Sequence, residues 1–515
     1  MISGKCLFLF YLSLIMKKIL HQNGLTVVLG IILLTYLLLP NNNLSSDSYG
    51  YATGIKRGAD LFSPHHLLYN WLYHYLSLPV KALFPAVDIL RLCTLFNTFF
   101  AGLALYVLSK ILELLRVATV QRYLWILFAG FSFGIWRFSL ENESYILSMC
   151  CSLAGSYYLL QYAVVNKRIR YIFLSGFFSM LAVLFHQIHM FWWLGLFAGI
   201  VWHYRSFRLS FSYACTALLV PLVYILVFVT TQEETLSIRS FWTYILYDYY
   251  HGNASQTFAA KQYIMFVGVA VVRTFLQVYP YMLILLKQHW FYFAPLLAVL
   301  GWCVLLIRIW AKRKKLVYRQ QVSGEESWLI KTHVLVLCLQ LGFAFYSNGN
   351  AEFMIMTPVL LAICIAPKWK IAGTAFGGLV GAMWLWNLVY AAFPMYHYNL
   401  INQKEKVNYM KQHPDARFIS FTNLIENQNE YLGGDHTRFY TDDKLTPQRL
   451  ASWVDSGYHI ITDMPDDQKI LSRGSFAEKN LKDEIWKQYK LEKVHTTHTL
   501  YGDLHLYRVQ AKPVR

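Results

Sequence analysis

The stretch LTVVLGIILLTYLLLPNNNLSSDSYG, residues 25–50, joins an apolar run to a polar one at Pro40. The apolar part predicts a helix over 22–40, suited to a hydrocarbon layer about 30 Å thick. No small-residue cleavage pattern closes it, so it reads as a retained first helix rather than a removed signal peptide. Its charged start, Met16-Lys17-Lys18, makes Met16 an alternative beginning to Met1. The polar part puts Asp47 immediately outside that helix.

Similar apolar runs of about 17 to 25 residues recur along the chain, each long enough to span a bilayer as a helix. They fall at 22–40, 86–112, 122–136, 145–165, 171–186, 190–204, 210–230, 290–310, 328–346, 353–367 and 371–392. With 515 residues, 56% of them hydrophobic and only 14% charged, the bilayer is the expected main solvent. The runs lack the alternation of a barrel strand, which argues for helices.

A formal charge of +18 would suit nucleic acid. The basic residues instead gather in short connections: Lys17 and Lys18, Arg116 and Arg122, Lys167 to Arg170, Arg205 and Arg208, the run 312–315, and Lys368 with Lys370. That is the distribution of cytoplasmic loops under the positive-inside rule. No basic-aromatic surface stretch accompanies it, so the expected partners are membrane lipids and no nucleic acid. Apart from Cys6, the cysteines lie inside apolar segments and give neither a disulfide framework nor a zinc spacing.

With the N-terminus inside, the runs predict about eleven transmembrane helices and an external C-terminus. Asp47, Glu141, Glu143 and Glu352 then share the face opposite the basic loops. Residues 231–289 read either as amphipathic helices along the interface or as a hairpin or re-entrant segment within the bundle. Near residue 395 the composition turns polar, dividing a membrane domain over 16–394 from a small external α/β domain over 405–515. In the latter, RFISF (417–421), HIITD (459–463) and LHLYRV (504–509) predict strands, and TPQRLASWVDSG (446–457) predicts a helix ended by Gly457. The expected fold class is an α-helical polytopic membrane protein with a C-terminal α/β domain.

Four constellations carry reactive side chains on the external face. Asp47 suits a general base toward a hydroxyl, or a metal ligand, its bland alternatives being a solvated loop residue or an N-cap for a helix starting at Ser48. Lys56, Arg57, His65 and His66 offer donors to a phosphate, although interface loops also collect cations against anionic lipid. The segment LFSPHHLLYNWLYHYL predicts an amphipathic interfacial helix after Pro64. In FGIWRFSLENESYIL (133–147), Arg137, Glu141 and Glu143 form a charged cluster that is costly at membrane depth unless paired. In LFHQIHMFWW (184–193), His186 and His189 are three apart and would share a helix face, the spacing of a metal pair or phosphate clamp, or of a structural pair in an aromatic belt. In NGNAEFMIMTP (348–358), Glu352 lies at the start of a helix. No P-loop, Rossmann glycine pattern or nucleophile elbow appears.

The order of these elements resembles the GT-C superfamily of integral-membrane glycosyltransferases, and within it the protein O-mannosyltransferase-like proteins of bacteria. Asp47 in SSDSYGYA matches the acidic residue of the first external loop. Trp136, Glu143 and Tyr145 in WRFSLENESY, and SGFFSMLAVLFH ending at His186, are similar to later family patterns. EFMIMTP resembles the family's late helix entry, with Phe353 and Met354 in place of its Arg-Tyr; Arg57, Arg137 or His66 are candidates to replace that arginine. The resemblance implies Asp47 as catalytic base, with Glu143 and Glu141 beside it, and sugar transfer from a polyprenyl-phosphate donor to a protein, glycan or lipid hydroxyl. The implied location is a bacterial inner membrane with an extracytoplasmic active site, no metal being obligatory and a divalent one an option. The rival readings are a transporter or flippase of a lipid-linked saccharide, which would be expected to show internal repeats or mid-membrane charges, and a non-catalytic assembly protein.

Overall fold

The computed structural model describes residues 23–250, 260–279, 281–312, 315–347, 349–420, 423–435, 437–441, 445–464 and 483–512. The Met1 or Met16 start, part of the basic run at 312–315 and Phe421 of RFISF lie outside the described residues.

The first half of the chain forms helices α1 (Asn23–Leu38), α2 (Ser46–Arg57), α3 (Tyr69–Leu83), α4 (Ile89–Leu114), α5 (Thr119–Phe131), α6 (Phe133–Ser139), α7 (Tyr145–Leu160), α8 (Ile169–Phe185) and α9 (Met190–Tyr204). Among the described residues, five segments are long and apolar enough to cross a membrane: Ile89–Leu114, Phe207–Thr231, Trp290–Ala311, Gly324–Tyr346 and Gly373–His397. Asn23–Leu38, Ile169–Phe185, Tyr263–Phe275 and Ala351–Ile365 are shorter apolar helices. Leu218, Leu222, Leu226 and Val229 follow one another at helical spacing and are each more than 60% exposed. An outward apolar stripe of this kind faces lipid.

Inside the bundle, polar groups and small residues set the packing. One continuous core joins Ile32 and Tyr36 of α1, Leu105 of α4, Trp125 of α5, Met149 of α7, Trp192 of α9, Val336 and Phe376. Gly195 and Gly199 lie one turn apart on α9, where added Cβ atoms would collide with Val336 and Thr332 of helix Gly324–Tyr346. This small-xxx-small face lets the two backbones approach, which lipid offers no hydrophobic force to achieve.

Two elements differ from the sequence expectation. The predicted span 122–136 is broken at Ser132, whose backbone is extended, so α5 ends and the separate helix α6 begins. Asn387 Nδ2 donates to the Phe131 carbonyl (2.8 Å) near the break, satisfying a carbonyl that the interrupted helix leaves open. Within 231–289, the helix Tyr263–Phe275 packs one face against its neighbours and leaves the other exposed. Ala270 joins Ala344 and Met354 in a core cluster, Gln277 N–H donates to Asn387 Oδ1 (2.9 Å), and Trp386 Nε1 donates to the Gln277 carbonyl (2.8 Å).

Two short strands, β1 (Val317–Arg319) and β2 (Trp369–Ile371), pair antiparallel between helices. From Lys404 onward, helices alternate with β3 (Arg417–Ser420), β4 (Phe439–Thr441), β5 (Ile460–Thr462), β6 (Tyr489–Thr499) and β7 (Gly502–Ala511). They form one sheet in the order β4-β3-β5-β7-β6, parallel across β4, β3 and β5 and antiparallel across β5, β7 and β6. The predicted helix at 446–457 is Pro447–Asp455, and Gly457, at φ 73°, turns the chain after it in a conformation that suits glycine. The helix Asn423–Tyr431 docks on α2: Asn427 Nδ2 donates to Ser46 O (3.1 Å), Gln428 Nε2 to the Tyr49 hydroxyl (3.2 Å), and Lys56 to the Tyr431 carbonyl (3.0 Å).

Filling the α9 groove should loosen the bundle. Gly199→Val is expected to cost about 1–3 kcal/mol by overpacking, read as a fall in melting temperature in detergent, whereas Gly301→Ala, where nothing lies within 4 Å of an added Cβ, should leave it nearly unchanged.

Candidate active site

Helix α2 lies just outside α1 and presents its first turn to the bundle. Ser45 is its N-cap, accepting from Ser48 N–H, and Asp47 lies in the first turn, where the helix dipole favours an anion. The expectation that Asp47 itself caps a helix from Ser48 is thereby corrected: the helix begins at Ser46, and the shorter Ser45 hydroxyl reaches the free amide, leaving the Asp47 carboxylate uncommitted to capping.

The turn between α6 and α7, residues 140–144, is buried against α2 and α4. Asn97 of α4 donates through Nδ2 to the carbonyls of Glu141 (2.6 Å) and Glu143 (2.9 Å). Asn142 Nδ2 donates to Ser48 O (3.0 Å), its N–H reaches Ser48 Oγ (3.2 Å), and the Tyr69 hydroxyl donates to its Oδ1 (2.8 Å). The turn is thus locked to α2 from one side and to α3 and α4 from the other.

The two carboxylates of that turn differ. Glu141 accepts from Arg137 Nε (2.8 Å) and from Asn41 Nδ2 (3.1 Å), a buried ion pair at helical i,i+4 spacing. Glu143 receives only the Ser45 hydroxyl (2.8 Å) among the described residues. Burial, with Asp47, Glu352 and Glu141 nearby, pushes its carboxyl well above the ordinary value. Glu141 is raised less freely, because Arg137 opposes its burial.

Asp47 is exposed on the first turn of α2. Desolvation first and Glu352 second raise its carboxyl above 3.8, while His65 acts in the opposite direction. Glu352 sits in the turn Ala351–Met354 and accepts from the Tyr145 hydroxyl (3.1 Å). Tyr145 stacks on His186 with ring centroids 4.7 Å apart, and Phe353 closes against both. Asp47, Glu143, Glu352, Tyr145, His186 and His65 therefore form one cluster at the helix ends.

Other predicted site residues lie elsewhere. Lys56 and Arg57 turn toward the C-terminal part, Lys56 over the Tyr431 ring (4.9 Å) and Arg57 in an ion pair with Glu430. Arg137 is engaged by Glu141. His66 is buried beside His65 (ring centroids 4.0 Å), with Nε2 at 2.8 Å from the Tyr51 hydroxyl. The helix expected directly after Pro64 begins only at Tyr69, behind a short 3-10 turn, Pro64–His66. His186 and His189 do not share a helix face. Helix α8 ends at Phe185 and a 3-10 turn, Gln187–His189, follows. His189 points inward to Ser152 (2.7 Å), and burial lowers both imidazoles below their ordinary value. Among the described residues no group of three or more His, Cys, Asp or Glu is arranged to hold a metal ion.

Sequence reasoning passed over Asn41, Ser45, Asn97 and Asn142, which hold the cluster together. It also passed over Arg273 as a site residue. That arginine reaches the Tyr279 hydroxyl (2.6 Å) and lies over its ring (4.4 Å), forming no ion pair among the described residues. For Asn97 and Arg273, a lone amide or cation inside an apolar run is the signal that would have found them.

No protein-family model matches this chain, and no curated protein matches it. Among solved structures, it is similar to ArnT from Cupriavidus metallidurans bound to undecaprenyl phosphate, at 11% identity and TM-score 0.47, over 94% of this chain and 97% of that one. It is also similar to the Archaeoglobus fulgidus oligosaccharyltransferase in complex with Zn and sulfate, at 11% identity and TM-score 0.47, over 94% and 73%. The S. cerevisiae protein O-mannosyltransferase Pmt1-Pmt2 complex, bound to the sugar donor, aligns at 13% identity and TM-score 0.33 over 42% of this chain and 34% of its own, so the chain spans about a third of its length.

The raised Glu143 carboxyl has a measurable consequence for stability. Its folded form holds the proton more tightly than the unfolded chain, so folding loses stability as pH rises from about 4.3, the unfolded value, through the higher folded one. Glu143→Gln should lack that loss: its melting temperature should exceed that of the parent by more at pH 8 than at pH 4.5, measured by thermal unfolding in detergent.

Proposed function

We propose that this protein is an inverting glycosyltransferase that moves a hexosyl or pentosyl unit from a polyprenyl-phosphate donor to an acceptor hydroxyl at the external leaflet. The observation that carries the reading is the convergence of Asp47, Glu143, Glu352 and Tyr145 at the helix ends, on one side of an apolar bundle. Asp47 takes the proton of the acceptor hydroxyl while its oxygen bonds to the anomeric carbon. The bond from that carbon to the phosphate oxygen breaks, and polyprenyl phosphate leaves with both electrons. Attack opposite the leaving group inverts the anomeric centre.

Arg273, lacking an acidic partner among the described residues, is the best-suited cation for the departing phosphate, since a planar guanidinium matches its oxygens. It takes the part assigned by sequence to Lys56, Arg57 and Arg137, whose charges are met by Glu430, Tyr431 and Glu141. The Glu352 carboxylate disfavours a second anion beside Asp47, which directs the phosphate toward Arg273. No step requires a metal; a divalent ion remains compatible with the carboxylates. The reading assigns about eleven crossings and the chemistry to residues 16–394, an external domain to 405–515, and the whole to a bacterial inner membrane with protein, glycan or lipid as acceptor.

Asp47→Asn should lower transfer from a radiolabelled polyprenyl-phosphate sugar by about 10²–10⁴-fold, the usual contribution of a general base, with the melting temperature retained. Full activity in that variant removes Asp47 from the mechanism, and labelled lipid crossing vesicles without transfer supports a flippase instead. Arg273→Ala should raise KM for the donor more than it lowers kcat. Because Asp47 must be ionised and its carboxyl lies above 3.8, the acid limb of kcat/KM should fall at a pH higher than that of an ordinary aspartate, and that limb should be lost from whatever activity Asp47→Asn retains.

A further inference from the structure

The C-terminal sheet carries a further polar feature, on its inner strands β5 and β7. The turn between β6 and β7 touches the membrane part, where Leu500 N–H donates to the Asn399 carbonyl (2.9 Å) and Tyr501 packs on Tyr281. From Gly502 to Arg508, β7 rises about 3.3 Å per residue, carrying the chain roughly 20 Å away from that contact. There a cleft of about 480 Å³ opens between the start of β5 and the end of β7, lined by Tyr458, His459, Arg508 and Gln510. Its volume falls within the range of about 300–1,000 Å³ usual for small-ligand sites.

Three side-chain arrangements give the cleft a chemistry. Arg508 donates from Nε to His459 Nε2 (3.3 Å), and His459 Nδ1 faces Asp415 Oδ2 (3.1 Å). Because Nε2 accepts, the imidazole is the neutral tautomer with its proton on Nδ1, aimed at Asp415. The Asp415 carboxyl is held below its ordinary value by that hydrogen bond. This chain fixes the guanidinium by one edge, and among the described residues its Nη1 and Nη2 make no hydrogen bond. The acid opposite in register, Glu492, accepts from Gln510 instead (3.1 Å).

Beside the guanidinium stands an aromatic platform. Arg417 lies 3.6 Å from the Tyr458 ring centroid and 4.6 Å from that of Trp453. It covers one face of Tyr458 and holds the ring in place. Tyr458 is nonetheless 46% exposed. A rigid ring beside two parallel, unspent N–H donors fits a molecule with an apolar face and an anionic group, which is what an acidic sugar presents: axial C–H bonds on one side of the ring and a carboxylate or phosphate at its edge.

We propose that this membrane-distal cleft binds an anionic saccharide, the sugar ring lying on Tyr458 and its carboxylate or phosphate bridging the two Nη donors of Arg508. It is a binding site, with no bond made or broken, and it is separate from the cluster around Asp47. Its occupant is an acidic glycan of the cell surface or a phosphorylated sugar, the two sharing one recognition chemistry.

Full-length protein in uncharged phosphatidylcholine nanodiscs, titrated calorimetrically with trigalacturonate, mannose 6-phosphate and maltotriose, tests this. At least one anionic probe should bind tenfold or more tightly than maltotriose, and which one does so identifies the source of the anion. Arg508→Gln and Tyr458→Ala should each weaken that binding about tenfold, the loss of one bidentate or stacking contact. Arg508→Lys, which keeps the charge and gives up the planar fork, should fall between, and it serves in place of Arg508→Gln if that variant unfolds. Asp47→Asn should bind as the parent does, so loss of transfer and loss of this site are read separately. Equal affinity for maltotriose, binding that survives both Arg508 and Tyr458 substitutions, or no binding of either anionic probe at millimolar concentration overturns the proposal.

Discussion

Residues 140–144 are irregular backbone at the edge of an apolar bundle, and every other feature of the acidic cluster depends on satisfying their polar groups. Such a turn is tolerated only where protein supplies the missing partners. Asn97 supplies them to the carbonyls of Glu141 and Glu143 from α4, and Asn142 returns the favour to α2 through Ser48. Once the turn is fixed, Glu141 must meet Arg137, Glu143 is left with a single hydroxyl donor among the described residues, and α2 is held with Asp47 beside them. The charges of the cluster are consequences of that backbone arrangement.

The cationic side of the molecule is organised by sharing. Lys56 and Arg57 are spent on the helix Asn423–Tyr431, and Tyr431 also meets Asp88 and the amide of Leu90 at the start of α4. The same helix reaches Ser46, next to Asp47, through Asn427. The C-terminal part is therefore fastened to α2 and to the start of α4, and it restrains the segment carrying Asp47. A mixed sheet suits this task because the helix that follows its first strand can reach outward to the bundle while the sheet stays rigid behind it.

The apolar runs were legible because hydrophobic length is a direct physical requirement of the bilayer; the helices at 190–204, 290–311 and 324–346 fall within a few residues of their expected places. The interruption at Ser132 was not legible, since a serine in an apolar run is compatible with a continuous helix and only the partner Asn387 reveals the break. Within the site, Arg137 and Glu141 could be paired from their spacing of four. The destination of Arg57 could not be read, because Glu430 lies 373 positions away and nothing local marks it. The two histidines at 186 and 189 misled for a related reason: their spacing suits one helix face, but the backbone there leaves the helix at His186, whose own ring nitrogen accepts from Ile188 N–H. Identity of reactive residues was readable, whereas their partners depended on distant chain.

The hydrogen bond from Asn427 to Ser46 has a further consequence, for the order in which the molecule matures. The two residues are 381 positions apart, so the helix bearing Asp47 leaves the ribosome long before its clasp has been made. During that interval α2 has only its contacts with the early helices. Its final seating waits on synthesis of nearly the whole chain, which ties the last restraint on α2 to the completion of translation.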